Sequence, residues 1–170
     1  KDLQLLTAKP IIYLFNVDDK TLSDAAKQTK LANIVAPAKA LFVNAKLEDE
    51  LRELNKQDQA EMLQEYGVEE SGLLQLIHAA YSTLGLQSYL TAGEKEVRAW
   101  TIKKDSTAPQ AGGAIHGDFE RGFIAADIVS YDDLIAAGSL AAARSAGKVR
   151  TEGKTYIMQP NDVVEFKFNV

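Results

Sequence analysis

Residues 10–19, PIIYLFNVDD, set Ile11, Ile12, Tyr13, Leu14 and Phe15 in a row and then stop on Asn16-Val17-Asp18-Asp19. So short and so apolar a run reads as a buried strand, the kind a parallel sheet covered by helices requires. Such a strand delivers its next few residues to the carboxyl edge of the sheet, where open α/β folds bind their ligands. The Asn-x-x-Asp pair then stands where a nucleotide base would be read. A base-reading pair is of little use without a loop that holds phosphates.

The only Gly-Lys-Thr in the chain is Gly153-Lys154-Thr155, and a G-x-x-x-x-G-K-[ST] loop would need glycine at 148, where lysine stands. Gly147 is one residue early. The context is also reversed, with an Ala-rich helical stretch before and the apolar YIM after, whereas a phosphate loop follows a strand and opens a helix. The match is a decoy. Other constellations are equally thin: His116-Gly117-Asp118 has no third ligand and reads as a turn into Phe119, and His78 as a half-buried helix residue. There is no Gly-x-Ser-x-Gly elbow, and two histidines in separate halves suggest no Ser/His/Asp triad. Alone, the chain lacks the equipment of a complete enzyme.

Composition narrows the class. With 170 residues, 46% apolar and 25% charged, the chain is an ordinary globular sequence long enough for one good core or two small ones. No apolar run is long enough to span a membrane and no leader pattern is present, so membrane partners are not expected. The absence of cysteine excludes disulfides and thiolate metal sites and fits the cytoplasm. The chain opens on Lys1 rather than Met, which suggests processing or a piece of something longer. Its net charge of −5 is uneven: residues 1–93 carry 9 Lys/Arg against 13 Asp/Glu, and residues 94–170 carry 10 against 11. Within the second part, RSAGKVRTEGK at 144–154 sets Arg144, Lys148, Arg150 and Lys154 against Glu152 alone. The run reads as a solvated loop with phosphate contact as its functional alternative.

The pattern along the first half is α/β. A strand at 11–16 is followed by a polar helix over about 22–31 and a second strand, KALFVNA, at 39–45. Leu47, Leu51 and Leu54 recur at helical spacing, a further helix carries Met62, Leu63 and Tyr66 and stops at Gly67, and Ser71 caps a helix with Leu73, Ile77, Ala80 and Leu84 on one stripe. After Gly85 the texture is β. LQSYLTAG and EVRAWTI form a hairpin through Ala92-Gly93, and DSTAPQAGGAIHGDF reads as a Gly/Pro-rich loop. A strand at 123–129, helices at 131–137 and 139–146, and strands at 155–158 and 163–169 around a QPND turn complete the chain. A small mixed sheet with a helix across one face is the β-grasp plan.

These residues carry a family resemblance. LLTAKPIIYLFNVDD, NAKLEDEL, SYLTAGEKEVRAWTI, APQAGGAIHGDFERGFIAADI and GKTYIMQPNDVVEFKFNV resemble the carboxyl-terminal half of the YchF family of Obg-like ATPases, over essentially the whole chain. The resemblance implies a P-loop G domain with an inserted helical arm, followed by a TGS domain of β-grasp fold. Residues 1–84 would close the G domain without its phosphate loop, and 85–168 would be the TGS domain. The phosphate loop, switches and magnesium ligands would lie upstream.

On the family's base-recognition motif fall Asn16, Val17 and Asp19, and on its SAK-like segment Asn44, Ala45 and Lys46. Asn16 would brace the two loops, Val17 pack on the base, and the Ala45 N–H meet its exocyclic edge. In GTPases the fourth motif position is an Asp whose carboxylate accepts N1–H and N2–H₂ of guanine. Adenine offers an unprotonated N1 and no 2-amino group, and a site built around such donors rejects the wrong base by roughly 10⁴ to 10⁵. The family typically carries Glu there and lacks the motif's Lys. This chain has Val17 for the Lys but Asp19 for the acid, which favours ATP and leaves GTP open. ATP or GTP with Mg²⁺ is thus the cofactor expected of the longer parent, with none held tightly by this chain. For the TGS half the resemblance implies ribosome or RNA binding, with no DNA and a monomeric state. The candidate contacts are Arg98, Lys103, Lys104, His116, Arg121, Arg144, Lys148, Arg150 and Lys154. Trp100 reads as core rather than as a stacking platform, and a net −1 for the region is not the charge of an autonomous nucleic-acid binder.

Overall fold

The computed structural model describes residues 5–93 and 96–169, and the chain divides after Leu84 into two compact units. The first is a parallel pair with its crossover. A single 3₁₀ turn at Leu6–Ala8 precedes β1 (Ile12–Asn16), followed by α1 (Asp19–Leu22), α2 (Ala25–Val35), β2 (Lys39–Val43), α3 (Ala45–Arg52), α4 (Lys56–Glu65) and α5 (Gly72–Leu84). β1 and β2 run in parallel from Ile12 opposite Lys39 to Asn16 opposite Val43. Both strands therefore release their next loops at the same edge. The helix expected over about 22–31 is broken at Ser23-Asp24. Asp18 Oδ1 accepts from Thr21 N–H at 2.9 Å and Asp24 Oδ1 from Lys27 N–H at 3.0 Å, so each aspartate starts its own helix.

Leu22, Leu47 and Leu51 form the unit's buried cluster, with Phe42, Met62, Leu63 and Tyr66 packed against it. Leu54 lies beyond the end of α3. The expected stripe on α5 is not its packed face: Leu73, Ile77 and Leu84 are 60%, 44% and 65% exposed, while Gly72 and Ala79 are buried. The reason is close approach. A Cβ on Gly72 would sit 2.3 Å from Val43 Cγ1, so the smallest residue of the helix sets its contact with β2. Glu48 fixes this join, its Oε1 accepting from Gly72 N–H at 2.6 Å and its Oε2 from Leu73 N–H at 3.2 Å, and Ser71 Oγ accepts from Leu74 N–H.

The second unit comprises β3 (Leu86–Ala92), β4 (Val97–Lys103), α6 (Ala108–Ile115), α7 (Gly117–Arg121), β5 (Phe123–Ser130), α8 (Tyr131–Ala137), α9 (Leu140–Ser145), β6 (Arg150–Glu152) and β7 (Asp162–Phe168). The strand order is β4-β3-β7-β5-β6. β3 and β7, the first and last strands, meet in parallel at Leu90 and Val163, and the other pairs are antiparallel. Positions 94 and 95 of the expected β3–β4 turn lie outside the described residues. One sheet face buries Tyr89, Ile102, Phe123, Ala126, Ile128 and Val164 with Ala108 and Ala111 of α6. The other packs Val129 and Val163 against α8 and α9. Tyr89 donates to the Ala111 carbonyl at 2.8 Å, and burial raises its phenol pKa.

Two expectations are corrected here. DSTAPQAGGAIHGDF is not a loop but contains α6 and the start of α7. Thr107 is the N-cap, Gln110 Oε1 reaches back to accept from its N–H at 2.8 Å, and Pro109 falls in the first turn, where its missing N–H costs nothing. The glycines serve packing rather than flexibility, since a Cβ on Gly112 would stand 3.2 Å from Phe119 Cβ of α7. The strand expected at 155–158 is only an isolated bridge between Ile157 and Thr107. The strand lies instead at Arg150–Glu152, inside the basic run read as a loop, where Thr151 pairs with Asp127 on β5.

That pairing draws a charge network onto the sheet. Asp127 is 7% exposed and accepts from Thr151 Oγ1 at 2.6 Å, Arg144 Nη2 at 3.1 Å and Lys167 Nζ at 2.7 Å. Hydrogen bonds from Lys167 and Thr151 hold its carboxyl below the usual carboxylate range. Asp127→Ala should cost about 1–2 kcal/mol, because it leaves Lys167 without its ion pair, Arg144 with Glu165 alone and the Thr151 hydroxyl without its acceptor, while both cations stay half exposed to water. A depressed native pKa contributes stability that is complete above the unfolded-state value and is lost as pH falls through the native one. Denaturant midpoints at pH 7 and pH 3 should therefore differ less for Asp127→Ala than for the unsubstituted chain.

Candidate functional site

The ends of β1 and β2 bring six residues singled out in the sequence into two adjacent loops. Asn16, Val17 and Asp19 leave β1, and Asn44, Ala45 and Lys46 leave β2. Parallel strands end side by side with unpaired backbone, and here side chains supply the missing partners. Asn16 Oδ1 accepts from Ala45 N–H at 3.1 Å, and Val17 N–H donates to the Val43 carbonyl at 2.8 Å. Asn44 is buried and serves three donors and acceptors at once. Its Oδ1 accepts from Lys46 N–H at 3.0 Å and Leu47 N–H at 3.1 Å, capping α3, while its Nδ2 donates to Asp19 Oδ1 at 2.5 Å.

Asn16 joins the two loops through this bond, and the Ala45 N–H that was expected to face a base's exocyclic edge is the group it accepts from. Val17 is half-buried against the Leu22, Leu47 and Leu51 cluster, which makes it part of the floor beneath the loops. Lys46 projects into solvent, 80% exposed, with Glu50 at 3.5 Å. A hollow of about 710 Å³ lined by Leu14, Val43, Ala45, Glu48 and Leu51 lies beside the second loop. Neither Asn16 nor Asp19 lines it. Sequence reasoning missed Asp18, which caps α1 and so sets where Asp19 starts the helix, and Glu48, which fastens α3 to α5. The Asp-x-x-Thr spacing at 18–21 was the available signal for the first.

In the second unit the structure sorts the nine candidate basic or histidine contacts. Arg144 faces Asp127 and, at 3.6 Å, Glu165; Lys148 faces Asp133 at 3.1 Å; Arg150 faces Glu152 at 3.9 Å; Arg121 is bonded to Asp118. His116 Nδ1 accepts from Asp118 N–H at 3.3 Å as the cap of α7. Most of the basic run is thus neutralised from within. Arg98 lies over the Trp100 ring at 4.2 Å, with Glu96 at 3.8 Å. Lys103, Lys104 and Lys154 have no ion pair among the described residues.

A family model, YchF-GTPase_C, described as a protein of unknown function (DUF933), matches residues 86–169. The "Ribosome-binding ATPase YchF" of Bacillus subtilis is 50% identical over 175 residues, covering 100% of this chain and 48% of the relative. That of Haemophilus influenzae is 44% identical over 172 residues, covering 100% and 47%. The chain belongs to the YchF family. It spans about half the length of these YchF relatives and corresponds to their carboxyl-terminal half. The solved YchF GTPase of Schizosaccharomyces pombe superposes with a TM-score of 0.79 at 35% identity, covering 98% of this chain and 45% of that one. A GTP-binding protein of Pyrococcus horikoshii, at 19% identity and a TM-score of 0.64, shares the fold.

The double role of Asn44 yields a test on this chain alone. Asn44→Ala removes the α3 cap and the Asp19 donor, and should lower unfolding free energy by about 1–2 kcal/mol. Asn44→Asp keeps a good cap but sets a second carboxylate beside Asp19. Its deficit should therefore be present at pH 7 and shrink below about pH 5, as one of the pair protonates. A deficit independent of pH would contradict the Asn44–Asp19 contact.

Proposed function

We propose that this chain is the carboxyl-terminal part of a ribosome-associated P-loop ATPase, its first unit completing a G domain and its second forming a TGS module of β-grasp plan. The observation that carries this is the cross-tie at the ends of β1 and β2: Asn16 to Ala45 and Asn44 to Asp19 join two loops into one polar edge. Neither loop alone could hold a purine edge. The names of the relatives, ribosome-binding ATPases and a YchF GTPase, support the reading. A parallel contact between first and last strands, with α6 across one face, supports the β-grasp assignment. The reading places the protein in the cytoplasm, where ribosomes are.

In this reading Asn16 offers its amide to the purine, Val17 shapes the floor, and Asp19, held by Asn44, decides between bases. Val17 brings no lysine stem to flank guanine, and ATP is favoured with GTP admitted. The phosphate contacts and magnesium belong to the other end of such a site. The described residues contain no convergent group of three His, Asp or Glu that would bind the metal, and none of them is assigned to it. Chemistry at the γ-phosphate is likewise given no residue here. A second reading, a non-catalytic RNA- or ribosome-binding β-grasp module, draws on the second unit's having its own sheet and two packed faces.

Calorimetric titration separates the readings. Phosphate contacts supply most nucleotide affinity in P-loop sites, so this chain should bind ATP and GTP no tighter than millimolar. Extended through the upstream half that its relatives carry, it should bind ATP at micromolar concentration, and Asp19→Glu should raise the ATP-to-GTP preference further. Micromolar binding by this chain alone, or an unchanged ratio in Asp19→Glu, would contradict the assignment.

A further inference from the structure

Histidine is the side chain that changes charge between pH 5 and 8, and the sequence has two, His78 and His116. On α5, His78 Nδ1 stands 3.4 Å from Glu70 Oε2, so protonation there adds an ion pair and breaks no bond among the described residues. His116 is placed differently, at the junction of two helices. Its N–H donates to the Gly112 carbonyl at 3.2 Å, closing α6, and its Nδ1 accepts from Asp118 N–H at 3.3 Å, opening α7. The same Nδ1 also stands 3.3 Å from Asp118 Oδ2. One ring nitrogen thus faces a backbone donor and a carboxylate acceptor of a single residue, and it serves only one at a time. With a lone pair it caps the helix; with a proton it must donate.

The neighbouring charges leave this exchange to His116 and Asp118. Asp118 is also bonded to Arg121, and that bond, ahead of the charge of His116, holds its carboxyl below the usual carboxylate range. It therefore stays ionised while a histidine titrates. Glu120, the remaining charged residue of α7, lies beside Gly113 of α6, and α6 itself carries no titratable side chain. The charged residues of the strands behind these helices are engaged elsewhere: Asp127, Glu165 and Lys167 in the network on the opposite sheet face, and Asp162 with Tyr156 and Gln159. On β4, Arg98 lies with Trp100 and Glu96, and Lys103 alternates away from the face that carries Ile102. Protonation of His116 removes the cap and sets a positive charge at a helix N-terminus, and both changes disfavour α7.

α7 fastens the end of the last strand. The Phe119 ring centroid is 3.9 Å from that of Phe168 and 6.4 Å from that of Phe166. Gly122 N–H donates to the Asp118 carbonyl at 2.8 Å, and the Gly122 carbonyl accepts from Asn169 N–H at 2.9 Å. With only 5 residues, α7 has little more than one turn of its own bonds, so its cap is a large share of what keeps it wound.

We infer that His116 is a pH-sensitive clasp on α7. Unprotonated, it caps the helix and holds Phe119 and Gly122 against the end of β7; protonated, it gives up the cap for the Asp118 carboxylate, and α7 and the end of β7 loosen together. The device is independent of the nucleotide and ribosome readings proposed above.

Nuclear magnetic resonance on the nitrogen-labelled chain reads both parts of the clasp. At pH 8 the His116 ring should carry its proton on Nε2, with Nδ1 bare. Between pH 8 and pH 5.5 the Asp118 N–H resonance should move with the titration of that ring. Exchange at Gly122 and Asn169, referred to the intrinsic rate at each pH, should quicken about 5-fold, the effect of losing one cap. His116→Asn supplies a capping acceptor that does not titrate, and should keep the protection and abolish its pH response; His116→Ala should exchange quickly at both values. A proton on Nδ1 at pH 8, exchange at Gly122 and Asn169 that is unchanged across the titration, or a His116→Asn variant that still responds would each overturn the inference. So would an equal quickening in α5, where only His78 titrates, since that would be a general loosening of the chain.

Discussion

Parallel strands cannot be closed by a tight turn, so where β1 and β2 end, the chain must find partners for loop backbone at a sheet edge. Two asparagines meet that requirement. Asn16 accepts the first free N–H of the β2 loop, and Asn44 caps α3 while reaching across to Asp19. The arrangement has consequences in both directions. Inward, α3 starts at a defined residue, which sets Leu47 and Leu51 into the core and aims Glu48 at the start of α5. Outward, the polar ends of the two loops share one edge with few degrees of freedom. The packing of the unit and the geometry of the proposed base site thus depend on the same few hydrogen bonds.

The second unit shows a different use of polar groups. Asp127 and Asp162 are both buried on or beside the sheet, yet they are handled oppositely. Asp127 is given two cations and a hydroxyl, and its carboxyl is held low. Asp162 has no ion pair among the described residues; it accepts from Gln159 N–H at 2.8 Å and the Tyr156 hydroxyl at 3.0 Å, and burial outweighs these bonds and raises its pKa. Tyr156 is pushed up in turn to about 12, chiefly by burial and then by its bond to Asp162. Internal pairing of this kind removes Arg144, Lys148, Arg150 and Lys167 from the charge available to a partner. Surface character in this unit is set by which cations were left unmatched, and only the folded chain shows that.

The hydrophobic period made part of this fold legible in the sequence. The apolar block before Asn16, the Leu47 and Leu51 spacing, the β3–β4 hairpin and the two helices after Ser130 all follow apolar runs or spacings, although none of the side chains of β1 is buried and Tyr13 and Leu14 are 41% and 48% exposed. α6 was hidden because proline and glycine usually break helices; Pro109 sits where a first turn tolerates it, and Gly112 and Gly113 are where α7 packs close, through Phe119 and Glu120. The Thr107-to-Gln110 spacing was the signal that would have found it. β6 was hidden because edge-strand residues face water and read as loop, and because Thr151 is paired through Asp127, a partner 24 positions away. The stripe on α5 failed for another reason: periodicity says which residues share a face, while the glycine contact with Val43 decides which face is pressed to the sheet. The residues of the proposed base site were legible as a motif, but that Ala45 would be tied to Asn16 was not, since nothing in local sequence reports a bond across 29 positions.

Amide exchange at Ala45 tests the cross-tie most directly, by nuclear magnetic resonance on this chain and on an Asn16→Ala variant. The account predicts a slowly exchanging Ala45 N–H in the unsubstituted chain that loses its protection in the variant, while Leu47, held by Asn44, keeps its own. Free exchange at Ala45 in the unsubstituted chain, or protection that survives the loss of the Asn16 side chain, would contradict it.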